Sequence, residues 1–424
     1  MKKILMIAYH FPPGDGSCSD KNKKIFDVLT DTGYLVDVLT VGSQKRCDTI
    51  NGQNIIRIPI GIFHKYDRYY NNNSCRIAND AHLQEMSMLY TVGRYLKKFI
   101  QKNVIPDSVI DWAPNVFHWF KSNKKSLEQY AVIFSISSPY TSHVIAHHVC
   151  KKYSIPYICS YGDPWIYEPS RKRGFIRYHI EYYMEKKIIR DAIGINLITD
   201  YNKNQYKKLY NIEEERITTF NIGFRKKKKE EGVKSVRKSF PRLIYGGSLN
   251  PVYRNTEPFL RALQKHATVT VDIYNEDYPE IKKLVKNLEL TNIVTTHNLL
   301  PNNLFTKELF MSDVLLLFGN STSFQIPGKL FEYISTGIHI LYIKNNNSSC
   351  DPTEQILNDY KNVSIVLNKE EDISIALSNI AEKYKSQTLN DATSIEKYEF
   401  HNTMKPIIEQ LKNLVFLKSN FEVV

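Results

Sequence analysis

The feature that most constrains this chain is a rhythm: short apolar runs of strand length alternate with amphipathic segments of helix length almost throughout. Such alternation marks parallel strands joined by helices, with each sheet buried on both faces. In the first half, strands are expected at 4–8, 35–40, 132–136, 157–160, 193–197 and 217–221, and helices at 20–31, 83–102, 142–152 and 175–190. A second series of strands is expected at 243–245, 269–273, 293–295, 314–317, 338–342 and 363–366. Between the two series lies Arg225-Lys226-Lys227-Lys228-Lys229-Glu230-Glu231-Gly232, charged and without periodicity, which reads as a solvated linker. The expected organisation is a first domain over 1–224, a linker over 225–239 and a second domain over 240–394. A helix over about 395–424, too apolar on one face to stay undocked, is expected to return to the first domain. The fold class is therefore α/β, with two facing, doubly wound parallel sheets. The stretch 42–80, with Gly52, Pro59, Gly61 and Asn71-Asn72-Asn73-Ser74, is expected to be one long irregular loop.

Charge enters next. The chain has 57 Lys+Arg against 44 Asp+Glu over 424 residues, a net charge of +13. That surplus suggests an anionic partner: nucleic acid, a membrane surface or a phosphorylated small molecule. Six scattered cysteines without a C-x-x-C pair argue against a disulfide framework or a zinc site. No apolar run approaches the roughly 18 residues that span a bilayer. A cytoplasmic protein is expected, at most lying against the inner face of the membrane.

Three loop motifs then fall where strands give way to helices. Phe11-Pro12-Pro13-Gly14-Asp15-Gly16 follows the first strand, and Gly14 and Gly16 would let backbone N–H groups approach a phosphate or anionic sugar. Tyr245-Gly246-Gly247-Ser248 followed by Arg254 repeats that arrangement in the second series, with a guanidinium suited to phosphate. Gln325-Ile326-Pro327-Gly328-Lys329-Leu330-Phe331-Glu332-Tyr333 sets a helix start beside a lysine, with a carboxylate one turn on. Each has a plainer reading as well: a tight turn, an exposed arginine, or a surface Lys329–Glu332 pair worth a few tenths of a kcal/mol.

In their order along the chain, Gly246-Gly247 with Arg254 and Pro327-Gly328-Lys329-Leu330-Phe331-Glu332-Tyr333 resemble family 4 glycosyltransferases of the GT-B fold. Ser138-Pro139-Tyr140-Thr141-Ser142-His143, Asp163-Pro164-Trp165, and Pro106-Asp107-Ser108 with Asp111-Trp112 are similar to segments of the branch that builds bacterial surface polysaccharides. The resemblance covers nearly the whole chain. It implies two facing Rossmann-like domains, a nucleotide-sugar donor held mainly on the second, and a glycan or lipid-linked acceptor on the first. Arg254 and Lys329 would hold the donor diphosphate, Glu332 its ribose, and Gly247, Ser248, Gly328 and Gln325 would complete the donor site. It also implies transfer with retention and without a metal, the leaving diphosphate taking the acceptor's proton. Catalytic roles fall to Arg254, Lys329 and Asp163, and acceptor contacts to His143 and Asp111.

Two positions depart from the family's pattern. Eight positions before Glu332, where relatives carry a glutamate facing the donor sugar, stands Phe324, so Gln325 or backbone of the 323–326 loop is expected to serve. Just before Asp163, where relatives often carry His or Arg, stands Gly162. No two aspartates lie two positions apart, so the D-x-D metal clamp of other nucleotide-sugar enzymes is absent. His143 and His147 share a helix face but no third ligand accompanies them, and no cofactor or metal is expected.

The segment Arg171–Lys187 mixes basic and aromatic residues at helical spacing. One reading packs Ile176, Ile180 and Tyr183 inward with the charges in water; the other lays this face on an anionic membrane. The functional expectation is a glycosyltransferase of cell-surface polysaccharide synthesis. Its rivals are a GT-B-like protein that binds a nucleotide-sugar without transferring it and, weaker, a basic nucleic-acid-binding protein, for which no recognition motif is present.

Overall fold

The computed structural model describes residues 3–14, 17–61, 104–168, 171–225, 238–249, 254–266, 268–275, 279–345, 350–389 and 395–421, without the side chains of Ser17 and 414–421. The expected helix at 83–102, Gly16, residues 62–80 and residues 226–237 lie outside the described residues.

Two sheets account for the two series. The first comprises β1 (Lys3–Ala8), β2 (Val36–Gly42), β3 (Arg46–Ile50), β4 (Gln53–Pro59), β5 (Tyr130–Ser137), β6 (Tyr157–Tyr161), β7 (Gly194–Leu197) and β8 (Ile217–Thr219), in the order β3-β4-β2-β1-β5-β6-β7-β8. The second comprises β9 (Arg242–Gly246), β10 (Thr270–Asn275), β11 (Val294–Asn298), β12 (Val314–Phe318), β13 (His339–Lys344) and β14 (Val363–Leu367), in the order β11-β10-β9-β12-β13-β14. Pairing is parallel except between β3 and β4. The central strands are buried along their whole length, which is why they read as unbroken apolar runs: β5 is buried at all eight positions and β12 at all five. In an open parallel sheet, ligands enter at the carboxyl ends where the strand order reverses. Here that is between β1 and β5 in one domain and between β9 and β12 in the other.

The stretch 42–80 is not one irregular loop. Its first part folds into the β3–β4 hairpin, in which Ile55, Ile56 and Ile58 are buried. Gly52 and Pro59 sit at the hairpin's turn and end, so the breakers that suggested a loop mark the edges of a strand.

The chain crosses between the domains twice, and the crossings pair. Phe224 N–H donates to the Tyr398 oxygen at 2.9 Å, and Phe400 N–H donates to the Phe224 oxygen at 2.8 Å. Beyond this point Phe400, Met404, Ile407, Ile408 and Leu411 join the same buried cluster as Ile4, Met6 and Ala8 of β1. The closing helices thus dock on the first sheet, as the apolar stripe requires.

The helix Phe175–Asp191 corrects the reading that packed its apolar residues inward. Ile176 is 75% exposed, Tyr183 65% and Phe175 79%, while Glu181 and Glu185 are fully buried. Three guanidiniums converge on Glu181: Arg177 at 2.6 Å, Arg173 at 2.7 Å and Arg171 at 3.4 Å. Trp165 Nε1 donates to the same carboxylate at 3.1 Å. A buried ionic cluster, satisfied bond by bond, has taken the inner face that hydrophobic residues were expected to fill.

Candidate active site between the two sheets

The donor-side candidates gather at the β9/β12 switch point. Gly247, directly after β9, has φ +138, a backbone shape that side-chain-bearing residues rarely adopt, and its N–H donates to the Tyr274 oxygen at 2.9 Å. This folds the chain so that the Ser248 oxygen accepts from Tyr245 OH at 2.8 Å and from Arg254 Nη1 at 2.5 Å. Arg254 reaches across the switch point: Nη2 donates to Asn320 Oδ1 at 3.1 Å, just beyond β12. Its Nε is buried with no hydrogen-bond partner among the described residues. A charged donor held dry and unsatisfied is costly and calls for an anionic oxygen.

Lys329 and Glu332 are paired to each other at 2.9 Å, and the Lys329 ammonium stands 4.9 Å from the Phe305 ring centre. Both are partly open to solvent, and Gly328 beside them is exposed. The helix Leu330–Ile334 that carries Glu332 is tied to the β9 loop because the buried Tyr333 hydroxyl accepts from Gly246 N–H at 3.1 Å.

From this point a chain of side chains crosses to the first domain. Asn320 Nδ2 donates to the Gln325 oxygen at 3.3 Å, and Gln325 Nε2 donates to Asp163 Oδ1 at 2.8 Å and Glu168 Oε2 at 3.2 Å. Arg254, Gln325 and Asp163 are therefore brought into one network. Burial and the neighbouring Glu168 charge push the Asp163 carboxyl above its ordinary range, against the Lys21 charge and its bonds to Gln325 and Ser138. Phe324 also crosses, stacking on Tyr167 with ring centres 4.5 Å apart and planes at 15°, and meeting Tyr201 edge-on at 5.1 Å. Asn202 Nδ2 donates to the Phe324 oxygen at 2.9 Å.

The loop carrying Asp163 is held from behind. Tyr140 OH donates to the Pro164 oxygen at 3.1 Å, and the Tyr140 ring stacks on Trp165, which is fully buried. Trp165 N–H donates to Tyr206 OH at 3.1 Å and Ile166 N–H to Glu185 Oε2 at 3.1 Å. Burial raises the Glu185 carboxyl to about 7 against the stabilising bonds from Tyr210 and Tyr206.

The two acceptor-side candidates stand apart from this network. His143 is fully buried, with Nδ1 2.8 Å from Ser135 Oγ; burial, and then the Lys21 charge, lower its pKa to about 3. It does not reach the surface of the cleft. Asp111 lies in the Ile110–Trp112 turn with its carboxylate packed over Gly61, where a Cβ would fall 2.0 Å from it. Gly14 is exposed after β1, its N–H donating to the Phe11 oxygen at 3.2 Å. Among the described residues no group of three or more His, Cys, Asp or Glu is placed to hold a metal ion.

No family model matches the chain, and no curated protein matches it by sequence. Solved structures do. A sucrose-phosphate synthase from Thermosynechococcus elongatus superposes with a TM-score of 0.68 over 100% of both chains at 11% identity. The fold is GT-B. Anabaena HepE, solved with UDP and glucose, gives 0.65 at 10% identity, covering 97% of this chain and 100% of its own. WaaG, a glycosyltransferase involved in lipopolysaccharide biosynthesis, gives 0.58 at 13% identity over 96% and 98%.

Asn320, Glu168, Tyr167, Tyr201 and Asn202 escaped sequence reasoning. Asn320 alone had a signal, since Gly319-Asn320 follows an apolar strand just as Gly246-Gly247 does.

Proposed function

We propose that this chain is a glycosyltransferase of family 4 that moves a sugar from a nucleoside-diphosphate donor to a glycan or lipid-linked acceptor in cell-surface polysaccharide synthesis. The observation that carries this is the buried, unpartnered Nε of Arg254 at the switch point of the second sheet. Arg254 and Lys329 hold the diphosphate, Lys329 leaving Glu332, which then accepts from the ribose hydroxyls. Gly247, Ser248 and Gly328 approach the donor with backbone, Gly14 from the opposite domain, and Gln325 faces the sugar beside Asp163. Asp111 belongs to the acceptor side, whereas His143, fully buried against Ser135 of β5, does not touch the acceptor and at most supports the strand above it.

In the step itself, the bond from the anomeric carbon to the diphosphate oxygen breaks and a bond to the acceptor hydroxyl forms on the same face. The hydroxyl proton passes to the departing phosphate, whose charge Arg254 and Lys329 stabilise without a metal ion. HepE has been solved with UDP-glucose, which makes UDP and UDP-glucose the first ligands to try. Isothermal titration should show UDP binding that falls about 10- to 100-fold in Arg254→Ala. Release of UDP from UDP-glucose only when acceptor is added distinguishes transfer from mere binding. Unchanged UDP affinity in that variant would refute the assignment.

The acceptor reading extends to the exposed side of the helix Phe175–Asp191. Phe175, Ile176, Ile180 and Tyr183 lie outward among the exposed Lys172, Lys186 and Lys187, a composition suited to an anionic bilayer. Among the described residues no helix is long and apolar enough to cross a membrane. Co-sedimentation with phosphatidylglycerol vesicles, and its loss in Ile176→Asp, tests this; equal binding to phosphatidylcholine vesicles would count against it.

A further inference from the structure

The space that a side chain at position 162 would occupy is filled from elsewhere. Gly162 follows β6, and a Cβ built on it would stand 2.3 Å from the Lys21 ammonium and 2.8 Å from the Ser137 oxygen. Lys21 comes from the second turn of the helix Ser17–Asp31, and long helical side chains lean back toward the helix start. That direction carries it to the carboxyl edge of the first sheet, where ligands of open α/β sheets enter. Lys21 is only 9% exposed, and it donates to the neutral Ser137 oxygen at 3.0 Å. An ammonium has three N–H donors, and burying it on one carbonyl bond leaves donors for a further acceptor.

The residue after Gly162 is Asp163, whose carboxylate is bonded to Gln325 of the donor loop at 2.8 Å. The charged groups facing Asp163 are Lys21 from the first helix and Glu168 from its own loop. An ammonium only donates hydrogen bonds and a carboxylate only accepts them, so a group that does both satisfies the two together. A sugar hydroxyl is such a group. A phosphate is not, because Asp163 and Glu168 repel it.

We propose that Lys21 is a positioning residue for the donor sugar: its ammonium donates to, and Asp163 accepts from, one hydroxyl of that sugar. The cation comes from the first helix because residue 162 has no room to supply it. This rests on the donor site proposed above and adds to it a residue no motif contains. It also makes Lys21 and Gly162 a matched pair, since a side chain at 162 displaces the ammonium.

The test separates the sugar from the nucleotide. UDP and UDP-glucose are titrated against the full chain, Lys21→Met, Lys21→Arg and Gly162→Ala, with melting temperatures recorded. The expected result is that the ratio of UDP-glucose to UDP affinity drops about tenfold or more in Lys21→Met and Gly162→Ala, while UDP affinity holds. Lys21→Arg keeps part of the ratio. The pH profile of UDP-glucose hydrolysis supplies a readout that a purely structural lysine would not move. Without the ammonium, Asp163 loses its cationic neighbour while the Glu168 charge and the Tyr140 hydroxyl stay beside it, and the acid limb shifts to higher pH in Lys21→Met. An unchanged ratio, or a ratio that falls only together with UDP affinity and melting temperature, overturns the proposal. A wild-type chain that binds neither ligand refutes the donor site itself, and this inference falls with it.

Discussion

The two sides of the cleft are built differently. In the second domain the candidate groups lean mainly on near neighbours: Lys329 on Glu332, three positions away, and Arg254 on Ser248, six away, with one longer bond to Asn320. In the first domain Asp163 is held by Gln325, 162 positions away, and its loop leans on Tyr140, Tyr206 and Glu185. Local construction leaves a motif in the sequence. Construction from distant segments leaves isolated residues whose neighbours only folding supplies.

Breaking the first-domain scaffold should therefore cost fold stability, and breaking the second-domain groups should cost ligand affinity. The largest effect is expected at Glu181, where removal leaves Arg173, Arg177 and Arg171 around a vacated buried site. Glu181→Ala should destabilise by about 3–5 kcal/mol in urea unfolding. Lys329→Ala should leave the unfolding midpoint unmoved and weaken UDP binding by about 1.5–3 kcal/mol. A large midpoint shift there would erase the distinction between the two sides.

Phe324→Ala sharpens the comparison because Phe324 belongs to the second domain but is held by the first. Loss of its stack on Tyr167 should cost about 0.5–1.5 kcal/mol beyond burial, measured as the coupling in a double-mutant cycle with Tyr167→Ala. Small-angle scattering should show a wider cleft in the variant.

A further effect concerns pH. Glu185 is raised from 4.5 to about 7 in the folded chain, so the folded state holds this proton more tightly than the unfolded one. The stability that proton contributes is complete below about 4.5 and is lost as pH rises through about 7. Melting temperature should fall across that window, and Glu185→Gln should flatten the fall. A wild-type profile that rises there would contradict the assignment.

Much of the fold was legible because buried parallel strands are apolar from end to end, as in Leu315-Leu316-Leu317. The β3 strand was not, since Arg46, Cys47 and Thr49 form a solvent-facing edge with no apolar pattern to read. The helix Phe175–Asp191 defeated the reading for a different reason. A buried carboxylate is tolerated only when its partners are present, and two of the three arginines that satisfy Glu181 precede the helix. Phe324 stood out as a departure from a motif, but its meaning depended on Tyr167 and Tyr201, which carry no mark of their own.

The docking of Met404, Ile407 and Leu411 against Ile4 and Met6 has a consequence for how the molecule is made. On the ribosome the first sheet can assemble long before the segment that seals it is translated. Until then, the side of β1 that Ile25, Phe26 and Leu29 cover only in part lacks the rest of its cover, and the nascent chain must survive an interval with open core. The domain synthesised first is thereby the domain completed last, and a chain shortened before Phe400 should lose the first domain, not the second.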